Sequence, residues 1–65
     1  MEKYTGDWSA NNNSTYSYGY TGNNKKTLAR DMREICQANV FAGNTGHWEV
    51  TDANGTVVAR GTCRN

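Results

Sequence analysis

Proline is absent from this chain, so no position forces a break in a helix or a gap in a strand ladder. Histidine occurs once and cysteine twice. Two cysteines are too few for a disulfide scaffold, and their wide spacing does not fit a zinc-ligand pattern. No apolar run is long enough to cross a membrane, and none follows Met1 to act as a secretory core. The expectation from this is a protein that starts at its own Met1 and stays in the cytoplasm. There the glycosylation-like triplets Asn13-Ser14-Thr15 and Asn54-Gly55-Thr56 carry no meaning. Neither sign of charge dominates: seven Lys and Arg face six Asp and Glu, for a formal net charge of +1. That balance excludes a protein that wraps nucleic acid by bulk charge and excludes an acidic decoy. Any electrostatic role must come from local placement.

What is present is 65 residues, read as one domain spanning 1–65. A chain this short buries only about 60% of its unfolded surface, so it has room for one small core. The clearest element is a helix over Lys25–Ala38, capped by Asn24. Leu28, Met32 and Ile35 follow the i, i+4, i+7 spacing of a core-facing stripe, widened by Ala29 and Cys36. Lys26, Arg30, Arg33 and Gln37 fall on the opposite side. Arg30 and Glu34 are four apart and can pair. Asn39 suits the left-handed position that ends a helix. Val40 and Phe41 would then fold back over the helix end, before a Gly43-Asn44-Thr45-Gly46 loop.

Strand patterns flank this helix. Residues 3–9 form a weak candidate with Tyr4 and Trp8 on one face, or else a loose arm. A polar turn over 11–14 leads to a better strand over Thr15–Thr21, and the two read as a possible hairpin. In that strand Tyr16, Tyr18 and Tyr20 share a face by period two. The last third is a hairpin about Asn54-Gly55, the strongest short signal for a two-residue type I′ turn. That turn pairs Ala53 with Thr56, Val50 with Ala59, Trp48 with Gly61 and Glu49 with Arg60. It places Trp48, Val50, Val57, Ala59, Gly61 and Cys63 on one face and a Glu49–Arg60 ion pair on the other. A three-residue loop with a bulge would shift this pairing and set Arg60 beside Trp48 instead. The order (β)β-α-β-β implies an α+β fold with one helix packed on one face of a small antiparallel sheet. Free edges in so small a sheet allow a monomer or a homodimer.

Candidates for chemistry are few. His47 has no nucleophile and orienting partner in a recognisable arrangement and reads as an exposed strand residue across from Thr62. The carboxylates show no pairing suited to hydrolysis or metal binding, and Asp52-Ala53-Asn54-Gly55 reads as a turn rather than a calcium loop. No catalytic residue, cofactor or metal is expected, so the reading is a non-enzymatic protein. Cys36 and Cys63 are either two buried small apolar residues or a disulfide tying helix to last strand. The tyrosines are either core, which is preferred because Ser17 and Gly19 would leave that core thin, or an exposed stripe that stacks bases or anchors a protein. Lys25, Lys26, Arg30 and Arg33 are either a solvated face or a contact for phosphate or an acidic protein patch. The binding candidates are these four together with Tyr16, Tyr18 and Tyr20.

The run Tyr16-Ser17-Tyr18-Gly19-Tyr20, the Asn24-capped Leu28/Met32/Ile35 helix and the Trp48–Val50 to Val57–Ala59 hairpin resemble the plan of several tiny phage-encoded proteins, anti-CRISPR proteins among them. The resemblance covers most of the chain. It implies an inhibitor, free of cofactor, that acts in a bacterial host cell by occupying a surface of a CRISPR or similar ribonucleoprotein complex, with no membrane role. A nucleic-acid-binding module using the basic helix face or the tyrosines is the second reading.

Overall fold

A computed structural model describes residues 3–11 and 16–65, with the main chain alone for 16–18. The strands β1 (Tyr4–Ala10) and β2 (Tyr16–Gly22) precede the helix α1 (Lys25–Asn39), and β3 (Thr45–Thr51) and β4 (Val57–Arg64) follow it. All neighbours pair antiparallel in the order β2-β1-β3-β4. The helix covers one face, so the fold is the expected α+β. The expected polar turn over 11–14 lies, beyond Asn11, outside the described residues.

The weakest strand pattern in the sequence occupies the centre of the sheet. β1 pairs with β2 on one side and β3 on the other. Tyr4, Trp8 and Ala10 alternate into the core, and Trp8 lies beside Trp48 in register. The indole N–H groups of both tryptophans are buried without an acceptor, so the pair contributes by packing.

Asn24 caps α1 as expected, its Oδ1 accepting from the N–H groups of Lys26 (2.9 Å) and Thr27 (3.2 Å). Leu28, Met32 and Cys36 are the buried helical residues, while Ile35 and Ala29 pack at the margin. The helix end departs from expectation. Asn39 is still helical and donates from Nδ2 to the Ile35 carbonyl (2.7 Å), and Val40 leaves the helix in an extended conformation. Val40 is buried, but Phe41 is 65% exposed rather than folded over the helix end. The turn after it is held differently. The Asn44 N–H donates to the Phe41 carbonyl, and Asn65 is tied to Asn44 and to the Val40 carbonyl.

The final hairpin reaches its expected register by an unexpected route. Its loop is Ala53-Asn54-Gly55, not a two-residue turn. The Asp52 N–H donates to the Thr56 carbonyl, and Gly55 takes the positive φ of 87° that this longer loop requires. Asp52 Oδ1 accepts from the N–H groups of Asn54 (2.9 Å) and Thr56 (3.0 Å), so this segment is a side-chain-braced turn. A three-residue loop alone would slip the pairing by one. A bulge between Thr51–Val57 and Val50–Ala59 restores it, so a bulged three-residue loop keeps the pairing it was expected to shift: Val50–Ala59, Glu49–Arg60, Trp48–Gly61 and His47–Thr62. The bulge also corrects one core assignment: Val58 packs against the core, and Val57 is 43% exposed.

Candidate functional site

The outer face of α1 carries the cations. Lys25, Lys26, Arg30 and Arg33 are all exposed, as is Gln37, while the inner face holds the sheet. Positions 26, 30, 33 and 37 recur at helical spacing, which gathers three of the four cations and Gln37 into one stripe. Arg30 pairs with Asp31 at 3.6 Å rather than with Glu34. This is the only ion pair among the described residues, so the expected Glu49–Arg60 pair, although aligned in register, does not close. Lys26 and Arg33 therefore keep their charge uncompensated by a neighbouring carboxylate. The disulfide alternative is the one realised: Cys36 and Cys63 are bonded, with Cα atoms 6.0 Å apart.

The strand that carries the three tyrosines has an interrupted ladder. A register shift between Gly6 and Asp7 breaks the β1–β2 ladder, and Gly19 sits at the break with φ of 97°. Tyr20 aligns with Gly6 and is half-buried against the core. Tyr18 and Tyr16 align with Asp7 and Ser9, on the other parity of β1. The side chains of Tyr16 and Tyr18 lie outside the described residues.

The face of the sheet away from the helix is polar. Asp7, Glu49 and Arg60 follow one another across β1, β3 and β4 in register. Partial burial, and secondarily the Glu49 carboxylate, raises the Asp7 pKa above its ordinary 3.8, against a lowering influence from His47. His47 is exposed and its Nδ1 lies 3.0 Å from Asn11 Oδ1. Among the described residues, no group of three or more His, Cys, Asp or Glu side chains is placed to hold a metal ion. No helix among them is long and apolar enough to cross a membrane.

One concavity brings the two halves of the chain together. An open cavity of about 450 Å³ lies where the later turns of α1 meet the end of β4. Arg33 and Gln37 come from the helix, Thr62 and Arg64 from either side of Cys63, and Asn11 and Thr45 from the adjoining strand ends. Arg64, Gln37, Asn11, Thr45 and Thr62 were not among the expected binding residues. The signal that points to them is the cysteine pair. Arg33 precedes Cys36 by one helical turn and Arg64 follows Cys63, so bonding the two cysteines brings both residues to the rim of the same cavity. No family model, characterised protein or solved structure was found to match the chain.

Proposed function

We propose that this is a non-enzymatic inhibitor that works by covering a surface of a nucleoprotein complex, of the CRISPR-effector kind, with the outer face of α1. The observation that carries the reading is the exposed stripe of Lys26, Arg30 and Arg33 on a helix whose other face is fully engaged by the sheet. A net charge of only +1 concentrated this way favours a local contact with an anionic patch over general adhesion to polyanions. No cofactor enters the reading, and the state in solution is a monomer or a homodimer.

A nucleic-acid-binding module is the second reading, and the pairing of Arg33 with Arg64 at one cavity favours it. The cytoplasm of a bacterial host is the location the inhibitor reading requires. Disulfides are uncommon in that compartment, so the Cys36–Cys63 bond weighs against this placement. Both cysteines are buried as residues, and Cys63 also borders the open cavity beside α1.

Affinity capture separates the readings. The inhibitor reading expects the protein to retain an intact nucleoprotein complex from bacterial lysate, with no retention of free oligonucleotide needed. Retention of free nucleic acid alone, steeply weakened by salt, supports the module instead.

A further inference from the structure

We propose that the cavity between α1 and the end of β4 seats one phosphate group of a nucleic-acid strand. It rests on reading the basic helix face as the contact for a partner that carries nucleic acid. Arg33 and Arg64 both line the cavity; among the described residues neither has a carboxylate in ion-pair reach, and no carboxylate side chain is among the described lining residues. Two uncompensated arginines at one concavity form a poor resting arrangement and a good oxyanion seat. The planar fork of each matches phosphate oxygens two at a time.

The neutral lining adds donors. Thr45 Oγ1 already accepts from Asn11 Nδ2 at 2.6 Å, so its own hydroxyl hydrogen remains to be given to another acceptor. Asn11 is in turn fixed at its other end by His47. Gln37 and Thr62 bring a further amide and hydroxyl. The Cys36–Cys63 bond holds the wall bearing Arg33 and Gln37 to the wall bearing Thr62 and Arg64, so the donors are gathered before any ligand arrives. A strand is favoured over free phosphate because the stripe continues. Beyond Arg33, Arg30 and Lys26 present cations at each preceding turn, about 5.4 Å apart along the helix, to the phosphates that follow. A free phosphate would use the cavity alone.

The test is fluorescence anisotropy of a 3′-labelled 12-nucleotide single strand, as DNA and as RNA, against the oxidised protein over a series of salt concentrations. Arg33→Gln and Arg64→Gln are compared with Lys3→Gln, a cation at the far end of β1 from Asn11. Circular dichroism confirms that each variant keeps its fold. The expected result is a 3- to 10-fold weakening for either arginine variant. The slope of log affinity against log salt should fall by about 0.7 for each lost contact. Lys3→Gln should change neither, and inorganic phosphate should compete with the strand. The proposal is overturned if the strand does not bind, if Arg64→Gln behaves like Lys3→Gln, or if inorganic phosphate binds while the strand does not. Those failures leave the helix-face reading to be judged separately, by capture of a nucleoprotein complex with Lys26→Glu and Arg30→Glu, two residues outside the cavity.

Discussion

Removing the Cys36–Cys63 bond is expected to cost about a third or more of the stability of this chain. The bond spans a sequence separation of 27 residues. Loop-closure entropy for a loop of that length gives about 3.5 kcal/mol at 25 °C. A domain of this size has roughly 3–10 kcal/mol in all, so the bond alone decides whether the fold is comfortable or marginal. The sulfurs are also core atoms, since Cys36 is fully buried and Cys63 nearly so. Two arms isolate the effect. Urea titration of the oxidised and the chemically reduced wild type leaves the sequence unchanged, and a Cys36→Ala/Cys63→Ala double variant removes the free thiols. With a urea slope near 1 kcal/mol/M for so small a chain, the midpoint should fall by roughly 3.5 M on reduction and by at least as much in the double variant, which also loses core atoms. The melting temperature should fall by roughly 14–28 °C. Coincident midpoints for oxidised and reduced protein would refute the argument, because they would mean that α1 and β4 stay together without the bond.

Three further outcomes follow from the packing. Gly46→Ala places a Cβ 2.7 Å from the main-chain oxygen of Ser9 and 2.9 Å from Val40, at the Ala10 end of the β1–β3 ladder. The ladder cannot move aside cheaply, so a loss of about 1–3 kcal/mol is expected by urea titration. Asn24→Ala removes the acceptor for two helix N–H groups and should cost about 1 kcal/mol by the same assay, with reduced protection of the Lys26 and Thr27 amides in hydrogen exchange. Asp7→Asn should stabilise the protein at neutral pH. The folded carboxyl has a raised pKa, so the fold favours its protonated form. That contribution is complete below the ordinary value of 3.8 and is lost as pH rises through the folded value. The advantage of Asn should therefore shrink as pH is lowered through the raised folded value towards 3.8 in a series of thermal melts, and change little below that, and an advantage that does not vary with pH contradicts the assignment.

The legible parts of the fold were those in which local chemistry and burial agree. The Asn24 cap and the Leu28–Met32 spacing define the helix on their own. The pairing of Val50 with Ala59 could be read because the Asn54-Gly55 turn signal centres the hairpin, and that register sets Ala59 and Gly61 opposite the core-facing Val50 and Trp48. Its cause could not be read: a three-residue loop corrected by a bulge gives the same pairing as a two-residue turn, and only Val57 and Val58 record the difference. The same limit applies to β2. Period two puts three tyrosines on one face unless a bulge intervenes, and Gly19 is compatible with either outcome. β1 looked weak because Gly6 and Asp7 dilute its pattern, yet the absence of a side chain at Gly6 is what admits Met32 over the sheet. For the site, the helix cations were visible by periodicity. Arg64 was not, because its nearness to Arg33 depends on a disulfide that two isolated cysteines leave open.

The central claim is that the outer face of α1 is the contact surface. It is tested most directly by capturing from bacterial lysate with the wild-type protein and with a Lys26→Glu/Arg30→Glu/Arg33→Glu variant, and identifying protein and nucleic acid in the retained material. All three residues are exposed, so the variant keeps its core. The account predicts that the wild type retains a nucleoprotein complex and that the variant, equally folded by circular dichroism, does not. Equal retention by both proteins, or no nucleoprotein retained by the wild type, would contradict it.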